Sequence, residues 1–172
     1  MRSRAEVYLK RGRATTDRVD HSTIRLVGDT SKPRYASRAG SAEPARLLAV
    51  EDNAVNRELA AAMLERLGYL VDVVASGSEA IDALARTAYD AVLMDCHMPG
   101  VDGYEATAAI RLRERGGRRT PVIAMTGAAM PDDREKCLAA GMDDYIAKPV
   151  LLEELARILA RWTGDAPERA PV

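Results

Sequence analysis

Short apolar runs alternate with stretches whose apolar residues return every three or four positions, and this alternation repeats five times after residue 45. The runs are Arg46–Val50, Leu70–Val74, Ala91–Asp95, Pro121–Met125 and Asp144–Ala147. Each is too short for a helix and too continuously apolar for a half-solvated strand, so each predicts a strand covered on both faces. Between them, Leu59, Ala60, Met63, Leu64 and Leu67 predict a first helix closed by Gly68. A second is expected over about Ser78–Ala88 with Ile81 and Leu84 inward, and a third from Gly103 to the Gly116–Gly117 pair. A fourth spans about Asp132–Ala140 before Gly141, and the last follows Pro149 with Leu152, Leu155, Ile158, Leu159 and Trp162 on one stripe.

Strand and helix alternating in this way imply parallel strands, right-handed crossovers and helices on both faces of the sheet. The expected fold is α/β and doubly wound, and such sheets place their chemistry at the carboxyl ends of the strands. Residues 45–163 would form this domain, with 164–172 as a disordered tail.

Before it, the pattern fails. Residues 1–44 hold ten basic and five acidic residues, a local charge of +5 that leaves −6 for the remainder. Only Ser22–Asp29 reads as a strand, and residues 30–44 are rich in Ser, Ala, Gly and Pro. This predicts a basic, mostly disordered extension.

Over all 172 residues the formal charge is −1, with 25 basic and 26 acidic side chains, which argues against a nucleic-acid coat. Aromatic residues are 4% and Phe is absent, so the core must be aliphatic. Two cysteines, Cys96 and Cys137, build no disulfide scaffold and suit a reducing compartment as small packing residues. No apolar run reaches the length of about 18 residues that spans a bilayer. A cytoplasmic protein without a membrane or nucleic-acid partner is expected.

The strand ends carry the candidate chemistry. Glu51 and Asp52 follow the first strand and Asp95 closes the third. Neighbouring first and third strands would crowd three carboxylates together, a cost that a hard cation such as Mg²⁺ relieves. Thr126 and Lys148 come from the fourth and fifth strands, adding a hydroxyl and an ammonium. Such a set can neutralise a phosphoryl group in transfer, with Asp95 as nucleophile. Taken alone, Asp52 could instead be a helix cap and Lys148 a structural salt-bridge partner.

Four stretches in order, Val50-Glu51-Asp52-Asn53, Met94 to Glu105, Ala124-Met125-Thr126-Gly127, and Asp144-Tyr145-Ile146-Ala147-Lys148-Pro149, resemble the receiver domain of two-component response regulators. Asn53, Asn56 and Cys96-His97-Met98-Pro99 are most similar to receivers attached to hybrid sensor histidine kinases. The resemblance covers about Arg46 to Trp162. It implies a flavodoxin-like sheet of strand order 2-1-3-4-5, and phosphoryl transfer from a partner phosphohistidine to Asp95. It also implies an Mg²⁺ environment of Asp52, Asp95, Glu51 and the His97 backbone carbonyl, with Asp52 and Asp95 as direct ligands. Thr126 and Tyr145 match the switch pair, Lys148 matches the phosphate-contacting lysine, and a cis Lys148–Pro149 bond is expected. Gly127 departs from the family's usual Ala.

The implied partners are a histidine kinase or histidine phosphotransfer protein as donor, and an output partner that the sequence does not name. The output would be a changed surface on the fourth helix, fifth strand and fifth helix, with a phosphorylation-dependent homodimer as a candidate assembly. The chemistry would be confined to Mg²⁺-dependent self-phosphorylation and dephosphorylation at Asp95. The histidines His21 and His97 stand without any nucleotide-binding loop, so the phosphohistidine must come from another protein. Residues 163–172 predict no DNA-binding output domain. Two alternatives are a Mg²⁺-dependent phosphatase of the haloacid-dehalogenase type, disfavoured by His97 where a second Asp is typical, and a detached receiver piece of a hybrid kinase.

Overall fold

Parallel pairing buries a strand on both faces, and the apolar runs obey this rule. In the computed structural model, which describes residues 44–114, 118–127 and 131–164, five strands form: β1 (Arg46–Val50), β2 (Leu70–Val74), β3 (Ala91–Asp95), β4 (Val122–Thr126) and β5 (Asp144–Ala147). Every residue of β3 and β4 is buried, whereas β2, at the edge, is at most half-buried. All pairings are parallel and the order is β2-β1-β3-β4-β5. The doubly wound expectation and its strand order therefore hold.

Period-two alternation sends the strand side chains into two cores. Leu47, Ala49, Leu93, Ile123, Met125 and Ile146 meet α1 (Ala54–Arg66) and α5 (Leu152–Thr163) through Leu64, Leu67, Leu155, Ile158 and Leu159. Leu48, Val50, Val92, Met94, Val122 and Ala124 meet α2 (Gly77–Arg86), α3 (Gly103–Arg113) and α4 (Pro131–Ala139) on the other face. Gly68 and Gly141, at φ +90° and +92°, follow the ends of α1 and α4 in the left-handed conformation that glycine adopts without penalty.

Three local expectations are corrected. β4 begins at Val122 rather than Pro121, whose ring nitrogen has no hydrogen to give a ladder. Leu59 is 58% exposed, because α1 turns Leu64 to the sheet and leaves Leu59 at the rim. Helix α2 buries Gly77, Ala80 and Ala83, while Ile81 and Leu84 are only half-buried at the margin. The reason is close approach: a Cβ on Gly77 would lie 2.9 Å from the Ala106 Cβ on α3. The predicted strand Ser22–Asp29, the Gly116–Gly117 stop, the extension before residue 44 and the tail beyond 164 lie outside the described residues.

Candidate functional site

The carboxyl edge of the sheet gathers the predicted residues because β1 and β3 are neighbours and β4 and β5 follow in order. Glu51 leaves β1 still tied to the sheet, its backbone N–H donating to the Val74 carbonyl. Asp95 is the last residue of β3 and pairs in register with Met125, so Thr126 sits one step further along β4. Thr126 pairs with Ala147 and accepts at its carbonyl from the Lys148 N–H at 2.7 Å, which delivers Lys148 to the same edge. The Lys148–Pro149 peptide is cis, as expected.

Lys148 links the acidic groups. Its Nζ lies 2.8 Å from Asp95 Oδ2 and 2.7 Å from Glu51 Oε2. Burial opposes the Lys148 charge, but its bonds to Asp95 and Glu51 outweigh that and raise its pKa above the usual 10.5. Burial likewise works against the Glu51 charge, yet the Lys148 and Asn56 hydrogen bonds hold its pKa below the usual 4.5. The second Asp95 oxygen, Oδ1, accepts from the His97 backbone N–H at 3.1 Å.

Asp52 differs from its neighbours. It is exposed, and among the described residues no hydrogen bond or ion pair reaches its carboxylate. It does not cap α1: Asn53 does, with Oδ1 accepting from the N–H groups of Val55 at 2.9 Å and Asn56 at 3.2 Å. Glu51, Asp52 and Asp95 each offer an oxygen within 4.8 Å of the others. Three carboxylates against one ammonium leave an excess of negative charge and an all-oxygen donor set, which fits a hard divalent cation. A cleft of about 560 Å³ opens above them, lined also by Asn53, Asn56, His97, Gly127 and Lys148.

The remaining predicted residues flank this centre. Thr126 is buried at the end of β4, just before the cleft residue Gly127, and does not itself line the cleft. Tyr145 is 37% exposed on β5, its ring on the outside. His97 is exposed and meets Tyr104 edge-on, with ring centroids 6.1 Å apart. Gly103, first residue of α3, lies against β3: a Cβ there would collide with the Asp95 carbonyl oxygen.

Two residues carry structure that sequence reasoning left unassigned. Asn56 Nδ2 donates to Glu51 Oε1 at 3.0 Å, and Arg57 donates to the Glu51 carbonyl at 2.8 Å and the Asp52 carbonyl at 3.1 Å. Their positions, three and four residues after the Asn53 cap, turn both back over the loop that bears the acids, and that spacing was the available signal.

The sequence profile of the response regulator receiver domain matches residues 47–160. The Sensor protein GacS of Pseudomonas syringae pv. syringae is 41% identical over 136 residues, covering 75% of this chain and 15% of the relative. The chain therefore spans about one-sixth of the length of the curated relatives it matches, with 15%, 16% and 17% covered in three of them. Among solved structures, the receiver domain of a sensor histidine kinase from Pseudomonas aeruginosa PAO1, with a magnesium ion coordinated in its active site cleft, is 53% identical. It covers 70% of this chain and 98% of that one, with a TM-score of 0.65. The receiver domain of Ssk1 from Saccharomyces cerevisiae, solved with the histidine phosphotransfer protein Ypd1, is 26% identical with a TM-score of 0.67 over 70% of this chain and 89% of that one.

Proposed function

Since the chain belongs to the response regulator receiver domain family, we propose that residues 45–163 act as a phosphoryl-accepting switch in a phosphorelay, with Asp95 as the acceptor. The observation that carries this reading is the pairing of Asp95 with a Lys148 ammonium at 2.8 Å beside an Asp52 carboxylate that no other described residue engages. An Asp95 oxygen attacks the phosphorus of a partner phosphohistidine, the P–N bond breaks, and the imidazole departs with the electron pair. The donor is a histidine kinase or a histidine phosphotransfer protein, in keeping with the Ssk1 receiver seen with Ypd1.

Asp52, Asp95 and the His97 carbonyl would hold Mg²⁺, with Glu51 beside them. Bound there, the ion supplies positive charge against the phosphoryl oxygens. Lys148 moves one of its hydrogen bonds to a phosphoryl oxygen and the Thr126 hydroxyl donates to another. The group adds roughly −1.5 to −2 charges, by analogy with other phosphoryl esters. Tyr145 then turns inward behind Thr126, altering the surface of α4, β5 and α5 for an output partner or a second copy of the chain. Its own chemistry is limited to Mg²⁺-dependent self-phosphorylation and dephosphorylation. No described helix is long and apolar enough to cross a membrane, and a cytoplasmic setting within, or beside, a hybrid kinase suits this role.

The test is incubation with Mg²⁺ and acetyl phosphate, followed by intact mass. One phosphate is expected on the native chain and none on Asp95→Asn. Adduct formation that ignores Mg²⁺ contradicts the metal assignment, and a native chain that takes no phosphate overturns the reading.

A further inference from the structure

Glu51 is the most buried of the three acids, at 2% exposed, and both of its carboxylate oxygens are engaged by donors inside the protein. Oε1 accepts from Asn56 Nδ2 at 3.0 Å and Oε2 from Lys148 Nζ at 2.7 Å. Asp52, one residue later, has no such donor among the described residues. The two neighbours in sequence thus stand in different states, one hydrogen-bonded at both oxygens and one without a described donor.

Arg57 holds the loop between them by binding the carbonyls of Glu51 and Asp52. With that backbone pinned, Glu51 already offers an oxygen within 4.8 Å of the Asp52 and Asp95 oxygens, but a metal must compete for it with Asn56 on Oε1 and Lys148 on Oε2. We infer that Asn56 is a positioning residue that keeps Glu51 out of the metal's inner ligand set and so sets the preference of this cleft for Mg²⁺ over Ca²⁺. The inference rests on the receiver reading above and deepens it.

The chemistry follows from ligand number. Mg²⁺ is small, demands near-octahedral geometry and is usually met by one or two carboxylates plus waters and phosphate oxygens. Ca²⁺ takes six to eight oxygens in a flexible shell and gains from each further carboxylate. Asp52 and Asp95 supply a two-carboxylate site; releasing Glu51 makes it a three-carboxylate site with a longer reach. Asn56 also acts through Glu51 on Lys148, because a Glu51 side chain that turns to a metal gives up its bond to the ammonium.

Asn56 is solvent-exposed on the first turn of α1, so its replacement empties no core. The experiment is calorimetric titration of the full chain with MgCl₂ and with CaCl₂, for the native protein, Asn56→Ala, Glu51→Gln and the double variant. Asn56→Ala is expected to lower the ratio of Mg²⁺ to Ca²⁺ affinity roughly tenfold, the scale typical of groups that orient metal ligands. Adding Glu51→Gln to it restores the native ratio. An unchanged ratio in Asn56→Ala overturns the inference, as does a lowered ratio that Glu51→Gln does not restore. If Asn56→Ala lowers the melting temperature sharply, Asn56→Ser carries the same comparison. A native chain that binds neither ion and takes no phosphate condemns the receiver reading itself, whereas normal phosphorylation with an unmoved ratio condemns only the role of Asn56.

Discussion

The sulfur atoms of Cys96 and Cys137 lie 3.9 Å apart in the core, and Cys137 is the one buried side chain among residues 134–139 of α4. Cys96 directly follows Asp95, so among residues 134–139 one small side chain anchors α4 next to the proposed acceptor. Burial pushes the Cys96 thiol up to about 12, with Tyr104 opposing and Cys137 adding to the shift. Only the thiolate reacts with alkylating agents. Iodoacetamide at pH 8 is therefore expected to leave Cys96 unmodified in the folded chain and to modify it fully in denaturant. Peptide mass mapping reads this, and rapid native labelling of Cys96 contradicts the packing.

The Glu51–Lys148 pair defines a pH window. Glu51 has a folded pKa below 4.5, so its contribution is complete above 4.5 and is lost as pH falls through the folded value. Lys148 has a folded pKa above 10.5, so its contribution is complete below 10.5 and is lost as pH rises through the folded value. Glu51→Gln is expected to cost on the order of 1–2 kcal/mol at neutral pH without divalent metal. That cost should be flat between about pH 5 and 10 and shrink on the acid side. Urea unfolding at a series of pH values measures it, and a cost that grows below pH 4.5 has the wrong sign.

Two glycines beside the cleft should respond in opposite ways to the same substitution. Gly103→Ala drives a methyl into the Asp95 carbonyl oxygen, so α3 must move off β3 or the backbone of Asp95, the proposed acceptor, must shift. A loss of roughly 2–3 kcal/mol and a fall in phosphorylation rate are expected. Gly127→Ala meets nothing within 4 Å, has no unusual φ and places there the residue that receivers usually carry. It should be neutral or stabilise by about 0.5 kcal/mol through the unfolded state. Melting curves with acetyl-phosphate kinetics on the pair decide; equal effects reject this account.

At the opposite end of the sheet, Arg111 joins α3 to the starts of β4 and β5. Its guanidinium donates to the carbonyls of Gly141 and Thr120 at 2.8 and 2.9 Å and pairs with Glu114 and Asp143, each at 2.6 Å. Arg111→Met removes the guanidinium from a site where Arg111 is only 13% exposed, leaving Arg119 to serve the Gly141 carbonyl and Asp143 but no described residue in its place at Glu114 Oε2 and the Thr120 carbonyl. A loss of roughly 3 kcal/mol is expected, a fall in melting temperature on the order of 10 °C. Arg111→Lys should recover only part, since an ammonium lacks the planar fork. Phosphorylation at Asp95 should persist in both, measured at a temperature where they remain folded.

Legibility followed physical range. Strand positions could be read from Leu47–Val50 and Val92–Met94 because a strand buried on both faces must be apolar throughout, a local demand. The residues of the cleft were legible for a related reason: acids, a hydroxyl and an amine at the carboxyl ends of such strands have few structural uses there. What the sequence by itself determined was therefore the alternation, the edge and the gathering of Asp52, Asp95 and Lys148 there, with Thr126 closing β4. The tertiary structure alone decided who pairs with whom. Glu51 and Lys148 are 97 positions apart, and their bond depends on strand register and on the turn of α1 that brings Asn56 back over the loop. Leu59 and Ile81 fit an apolar stripe, yet α1 turns Leu64 rather than Leu59 to the sheet, and the close approach of Gly77 to Ala106 leaves Ile81 at the margin. Periodicity reports which face a residue shares; only packing distance reports whether that face is closed.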